Sequence, residues 1–179
     1  MPNELKIITN PNPILRKKSA EISQKDVSSK EIKELCSGME KLMIASDGVG
    51  LAASQVGKNI RIIVINADEA VKRASSLKIN AVKGLIYMVN PKITKKSFAR
   101  EWGEEGCLSI PDVFGQVRRH KKITCRYFGL DGKQIKLNAA GLLARVIQHE
   151  IDHLDGILFI DKANNIKELN NYKPDRDNS

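Results

Sequence analysis

His149, Glu150 and His153 stand in the order H-E-x-x-H. On a helix, positions i and i+4 share one face, so the two imidazoles can reach one metal ion. A catalytic zinc-type centre takes three protein ligands and leaves a fourth position to water. Two histidines therefore imply a third ligand elsewhere. The extended pattern H-E-x-x-H-x-x-G-x-x-H does not supply it: Gly156 fits, but Phe159 occupies the last position and cannot bind a metal. Downstream of His153 the one glutamate is Glu168, in the polar stretch NNIKELNNY, and it is a weakly supported donor. An upstream ligand is favoured, and the three cysteines are the soft donors to try. Cys36 falls on the apolar stripe of a helical pattern, and Cys125 alternates with Ile123 and Tyr127 as in a strand; both read as core. Cys107 sits in GEEGCLSIPD, beside Gly106 and near Pro111, where no apolar period claims it. It ranks ahead of the other two.

Several elements must position these groups. KEIKELCSGMEKLMIAS spaces Ile32, Leu35, Cys36, Met39, Leu42 and Met43 as an amphipathic helix. IRIIVIN reads as a buried strand, residues 67–83 as a polar loop or short helix, and LIYMVNPKIT as a second strand that loses regular pairing at Pro91. KKITCRYFGLDGKQIKLN reads as a hairpin with Asp131 and Gly132 at its turn. Asn138 is placed to cap a helix running from about Ala139 through the histidines to about Leu154, with Gly156 as its stop. ILFID then reads as a short strand, and Ile166–Leu169 as helical. Strands in the middle and helices towards the ends predict an α+β fold with mostly antiparallel sheets packed around the helix that carries the H-E-x-x-H motif. Residues 1–162 are expected to form one catalytic domain and 163–179 a polar tail.

A chain of 179 residues with 41% hydrophobic and 28% charged content is ordinary for one globular domain. The start, MPNELKIITNPNPILRKK, has no apolar leader, no run approaches a membrane span, and three cysteines do not suggest a disulfide framework. A cytoplasmic protein with no membrane partner is expected. The net charge of +9 is unevenly spread: residues 70–100 carry eight Lys/Arg and no acid, and residues 115–126 carry five and no acid. Glu101, Glu104, Glu105 and Asp112 lie between them. A solvated basic surface is the plain reading, and an RNA-rich partner the sharper one. Aromatic content of only 4% argues against stacking on bases, and no motif for sequence-specific nucleic-acid binding is present.

Three stretches, GVGLAASQVG (48–57), EGCLS (105–109) and QHEIDHLDG (148–156), resemble the signature motifs of the peptide deformylase family, in the expected order. The resemblance runs from about Ile7 to about Lys162. It departs at Ser54, where many members have proline, at an insertion over 67–83, and at Phe114, where some members carry an arginine near the substrate entrance. The resemblance implies that Cys107, His149 and His153 hold one divalent ion, usually ferrous iron, with zinc, nickel or cobalt as alternatives. It further implies Glu150 as general base and acid, and the Gln55 amide with the Leu108 N–H as oxyanion donors. Val49, Gly50 and Gly106 would border the substrate. Leu142 and Val146, two turns and one turn before His149, could line a methionine pocket or simply be core. Asp152, at i+3 from His149, could support that ligand or be a surface charge. The implied activity is removal of the formyl group from the initiator methionine of nascent chains, at the ribosome. A zincin-like endopeptidase using Glu168, and a basic ribosome- or RNA-binding module with a closed structural metal site, are the competing readings.

Overall fold

The structure, a computed structural model, describes residues 5–73 and 83–169. The first helix, α1 (Lys30–Ala45), starts where the Ser29 hydroxyl accepts the Ile32 N–H at 3.3 Å. Its buried residues are Ile32, Cys36, Met39 and Met43, the expected stripe. Five strands follow in one antiparallel sheet: β1 (Gly50–Ala52), β2 (Ile62–Asn66), β3 (Leu85–Lys96), β6 (Lys122–Phe128) and β7 (Gln134–Ala140), paired in the order β1-β2-β3-β6-β7. A short helix, α2 (Ala67–Arg73), leaves β2. The expected insertion at 67–83 thus begins as a helix, and residues 74–82 lie outside the described residues. Strand register shifts around Pro91, which has no N–H to give the ladder, but β3 continues past it to Lys96.

β2 shows why this sheet sits mid-molecule. Side chains alternate along a strand. Ile62 and Val64 pack with the stripe of α1, while Ile63 and Ile65 pack with Leu143, Ala144, Ile147, Ile151 and Leu154 of α3 (Gly141–Leu154). Each fully buried Leu or Ile contributes roughly 1.5–3 kcal/mol. The opposite flank of α3 faces a second sheet, antiparallel in the order β4-β5-β8, from β4 (Arg100–Cys107), β5 (Ile110–His120) and β8 (Ala163–Glu168). There Arg145, Gln148, His149 and Asp152 bond to residues of β4 and β5. The motif helix is therefore central, apolar towards one sheet and hydrogen-bonded towards the other.

Local readings change in four places. Asn138 does not cap α3; it lies in β7, where its Oδ1 accepts the Thr124 hydroxyl at 2.9 Å, and Ala140 takes the cap position. ILFID is no strand: Phe159–Asp161 form a 3-10 turn that buries Phe159 against the ring of His149, centroids 6.2 Å apart. Residues 163–168, expected to open a polar tail that becomes helical, instead pair as β8 with β5, where side-chain exposure is compatible with an edge strand. The long β4–β5 hairpin, read from sequence only as a turning region, is the element that delivers Cys107. Gly156 ends α3 as expected, with φ of +75°, and a Cβ there would come within 2.5 Å of the Arg16 carbonyl oxygen. Among the described residues no helix is long and apolar enough to cross a membrane.

Candidate active site

Cys107 closes β4 at a register shift between Gly106 and Cys107, so its side chain leaves the regular ladder and turns towards α3. Its Sγ lies 3.2 Å from His153 Nε2, and one donor atom from each of Cys107, His149 and His153 falls within 4.8 Å of the others. These three are the one such group among the described residues. A thiolate and two imidazoles suit a borderline-soft divalent ion. Cys36 and Cys125 are fully buried, and burial pushes their thiols up to about 12 and about 11, as expected of core residues. Glu168 sits exposed at the end of β8, opposite Val113, and is not in the ligand group.

His149 is oriented from behind. Its Nδ1 is 3.0 Å from Glu105 Oε2, which leaves Nε2 for the centre. Burial alone would raise the Glu105 pKa, but hydrogen bonds from Arg119 at 2.9 and 2.8 Å and from His149 hold it well below the usual carboxylate range. Arg145 Nη1 donates to the other Glu105 oxygen at 2.9 Å and to the Val117 carbonyl at 2.8 Å, and its Nη2 to the Glu101 carbonyl at 3.0 Å. Asp152 accepts from Arg119 at 2.5 Å, so it belongs to this network and is not a free surface charge. Burial would lower the His149 pKa, yet the Cys107 sulfur and the Glu105 carboxylate raise it well above its ordinary value. The same negative surroundings attract a cation. Burial, followed by the positive field of His149 and Arg119, keeps His153 well below its ordinary value, hence neutral and able to ligate.

Glu150 faces the other side of the centre. It is 4% exposed, its Oε2 has no hydrogen-bond partner among the described residues, and burial pushes its pKa up to about 7, opposed by His149. A Cβ on Gly50 would approach its Oε1 to 2.5 Å, so the glycine makes room for this carboxylate. Gln55 is fixed by the 3-10 turn Ala53–Val56: its Oε1 accepts the Ala52 N–H at 2.9 Å, which turns Nε2 towards Ser109 Oγ at 3.1 Å and Cys107 Sγ at 3.5 Å. A cavity of about 510 Å³ opens over these groups. Val49, Gly50, Gly106, Leu142 and Val146 all line it, with Gln55, Cys107, Leu108, His149 and Glu150. His153 lies beneath, 1% exposed.

A buried, unpartnered carboxylate beside a Cys-His-His donor set, under an open cavity, is the layout of a metal-dependent hydrolase. The family model for polypeptide deformylase matches residues 4–169. The chain belongs to the polypeptide deformylase family. A peptide deformylase of Syntrophobacter fumaroxidans is 41% identical over 162 residues, 90% of this chain and 88% of that one. A peptide deformylase of Agrobacterium fabrum is 42% identical over 161 residues, 90% and 88% of the two chains. Among solved structures, the deformylase of Thermotoga maritima matches with TM-score 0.78 at 32% identity, covering 89% of this chain and 97% of its own. A probable peptide deformylase from Synechococcus phage S-SSM7 matches with TM-score 0.73 at 46% identity, covering 88% and 99%. Deformylases are metal-dependent hydrolases that act in protein synthesis on N-formylated chains, and the Cys107-His149-His153 group is the candidate metal site of this one.

Sequence reasoning missed the support behind that site. Glu105 was read as part of an acidic patch and Arg119 as a surface cation, yet they are 7% and 5% exposed. Two spacings carried the signal. Glu105 and Cys107 are two apart on a strand, and Arg145 and His149 are four apart on a helix.

Proposed function

We propose that this chain hydrolyses the formamide of N-formylmethionyl nascent peptides, releasing formate, with one divalent ion on Cys107, His149 and His153. Ferrous iron is the proposed physiological ion; zinc, nickel and cobalt suit the same donors. When bound, such an ion lowers the pKa of a coordinated water and so supplies the nucleophile at neutral pH. Glu150 would accept a proton from the attacking water on its free oxygen and return it to the departing amine. Its raised pKa fits both duties, because a group that titrates near neutrality can hold or release the proton. The Gln55 amide and the Leu108 N–H face the developing oxyanion. Gln55 is preorganised for this by its bond from Ala52, so little rearrangement is needed during reaction. Val49, Gly50 and Gly106 border the peptide, and Leu142 and Val146 line the methionine pocket. We place this work in the cytoplasm, with the basic surface docking the enzyme on the ribosome and no sequence-specific reading of nucleic acid. Residues 1–162 carry the catalytic groups; β8 at 163–168 completes their sheet.

The observation that carries this reading is the pairing of the three-ligand group with the buried, unpartnered Glu150 under one cavity. The test is formate release from a formyl-methionyl tripeptide. Glu150→Gln should bind metal normally and lose about 10²–10⁴ in rate. Turnover within a few-fold of the parent would assign the proton to another group. Equal kcat/KM on formyl- and acetyl-methionyl tripeptides would replace deformylation by a broader amidase activity.

A further inference from the structure

A second cavity lies on the other side of the Glu105–Arg119 pair. It is a cleft of about 770 Å³, reached by Arg119, Gln148 and Asp152. Eight of its lining residues are Lys or Arg and three are acids. Two of those acids are already engaged: Asp155 by Arg61 at 2.7 Å, and Asp152 by Arg119 at 2.5 Å and Lys162 at 2.7 Å. Glu21 is the third. Lys18, Lys92, Lys96, Arg100 and Arg118 are exposed and paired with no acid among the described residues.

Two exposed aromatic rings stand next to lining residues of this cleft in sequence and strand register. Phe98, at the tip between β3 and β4, is 105% exposed, and Trp102 on β4 is 52% exposed. The chain has only one tryptophan and four phenylalanines, so this spends scarce apolar surface on solvent. The tip is held in place. Ser97 N–H donates to the Lys122 carbonyl at 2.9 Å, Lys121 N–H to the Ala99 carbonyl at 3.0 Å, and Lys122 N–H to Ser97 Oγ at 3.1 Å. Trp102 lies directly opposite Arg118, and Arg100 opposite His120, in the β4–β5 register. Opposed residues of an antiparallel pair project to the same side. Trp102 therefore shares a sheet face with Arg100 and Arg118, both of which line the cleft.

We propose that this face binds single-stranded RNA without sequence preference, the cleft cations taking phosphates and Phe98 and Trp102 stacking on bases. An elongated polyanion fits a concave row of unpaired cations, and a flat aromatic face accepts any base. A bilayer surface is too broad to enter the cleft. An acidic peptide matches the charge but brings no planar rings for Phe98 and Trp102. The low aromatic content argued against stacking, but the placement of these two rings outweighs their number. The inference deepens the reading of the basic surface as the ribosome-docking face, its test separates the two, and it is independent of the hydrolytic chemistry.

The test titrates the full chain with a fluorescein-labelled mixed-sequence RNA of about 20 nucleotides, near the size range of single-strand sites. Anisotropy reports binding, and the emission of Trp102, the chain's only tryptophan, reports stacking. RNA should bind at low salt and quench Trp102. Phe98→Ala should weaken binding on the order of tenfold. Lys96→Glu with Arg118→Glu should reduce the slope of log K against log salt by about 1.4. Hydrolysis of a short formyl peptide should be unchanged in all of these variants. No binding at low salt overturns the proposal. So does binding that leaves Trp102 emission unchanged and ignores Phe98→Ala, since only a diffuse polyanion surface would remain. Preference for phosphatidylserine vesicles or polyglutamate over RNA overturns it too. RNA binding with quenching, in an enzyme that fails to co-sediment with ribosomes, upholds this inference and removes the docking reading instead.

Discussion

On one flank of helix α3 the active-site cavity is walled by buried charges that hold one another in place, with Glu150 left unpartnered. On the far side of the Glu105–Arg119 pair, five of the eight cations that wall the basic cleft are exposed and paired with no acid among the described residues. The two cavities share a wall but differ in how their charges are held. Buried groups cannot exchange partners with water, so their geometry is fixed and a single loss is costly. Exposed lysines are solvated and mobile, so each matters little to folding and acts only in sum. Precise chemistry belongs on the first flank and tolerant, salt-sensitive recognition on the second.

The comparison breaks most sharply at the donor set. Cys107→Ala should lose nearly all bound metal by elemental analysis, whereas Cys36→Ala and Cys125→Ala should retain it. Full occupancy in Cys107→Ala would remove the thiolate from the centre. The shared wall comes next. Arg119→Ala leaves Glu105 short of its bidentate partner in a buried setting, and should cost about 3–5 kcal/mol in urea unfolding. A cost below about 1 kcal/mol would place Arg119 with the solvated cations.

Acid should act through the same wall. Glu105 has a folded-state pKa well below the ordinary 4.5. Its ionised form therefore stabilises the fold fully above about pH 4.5, and that contribution falls away as pH drops further. The urea midpoint should decline below that point in the parent. It should decline less in Glu105→Gln, which starts from a lower midpoint at pH 7. Parallel declines would move the acid sensitivity to other carboxylates. The smallest effect belongs to the cleft: Lys96→Glu and Arg118→Glu should each shift stability by no more than about 0.5 kcal/mol. A larger loss would mean that these side chains are structural.

Much of the site was legible because its chemistry is local in sequence. His149 and His153 share a helix face by spacing alone, and Cys107 stood out because no apolar period claimed it. The stripe of α1 and the β6–β7 hairpin with its Asp131-Gly132 turn also followed from local pattern. What was not legible depends on partners distant in sequence. β8 is polar and exposed, and only pairing with β5 makes it a strand. Arg119 looks like any surface arginine until Glu105 and Asp152 close around it. Asn138 has the composition of a helix cap, but the β6–β7 ladder claims it first.

The candidate ligands also have a mechanical meaning. Cys107 ends a strand of one sheet, and His153, 46 residues later, rides on the helix that packs against the other. An ion held by both would be a removable rivet between the two halves of the molecule. Any ligand bound only by the folded state stabilises it by RT ln(1 + [L]/Kd), about 2.7 kcal/mol at a hundredfold excess over Kd. With the proposed ligation, the cell's supply of the ion would set two properties at once: how many molecules can react, and how firmly the hairpin that carries Cys107 stays fastened to the helix that carries the histidines.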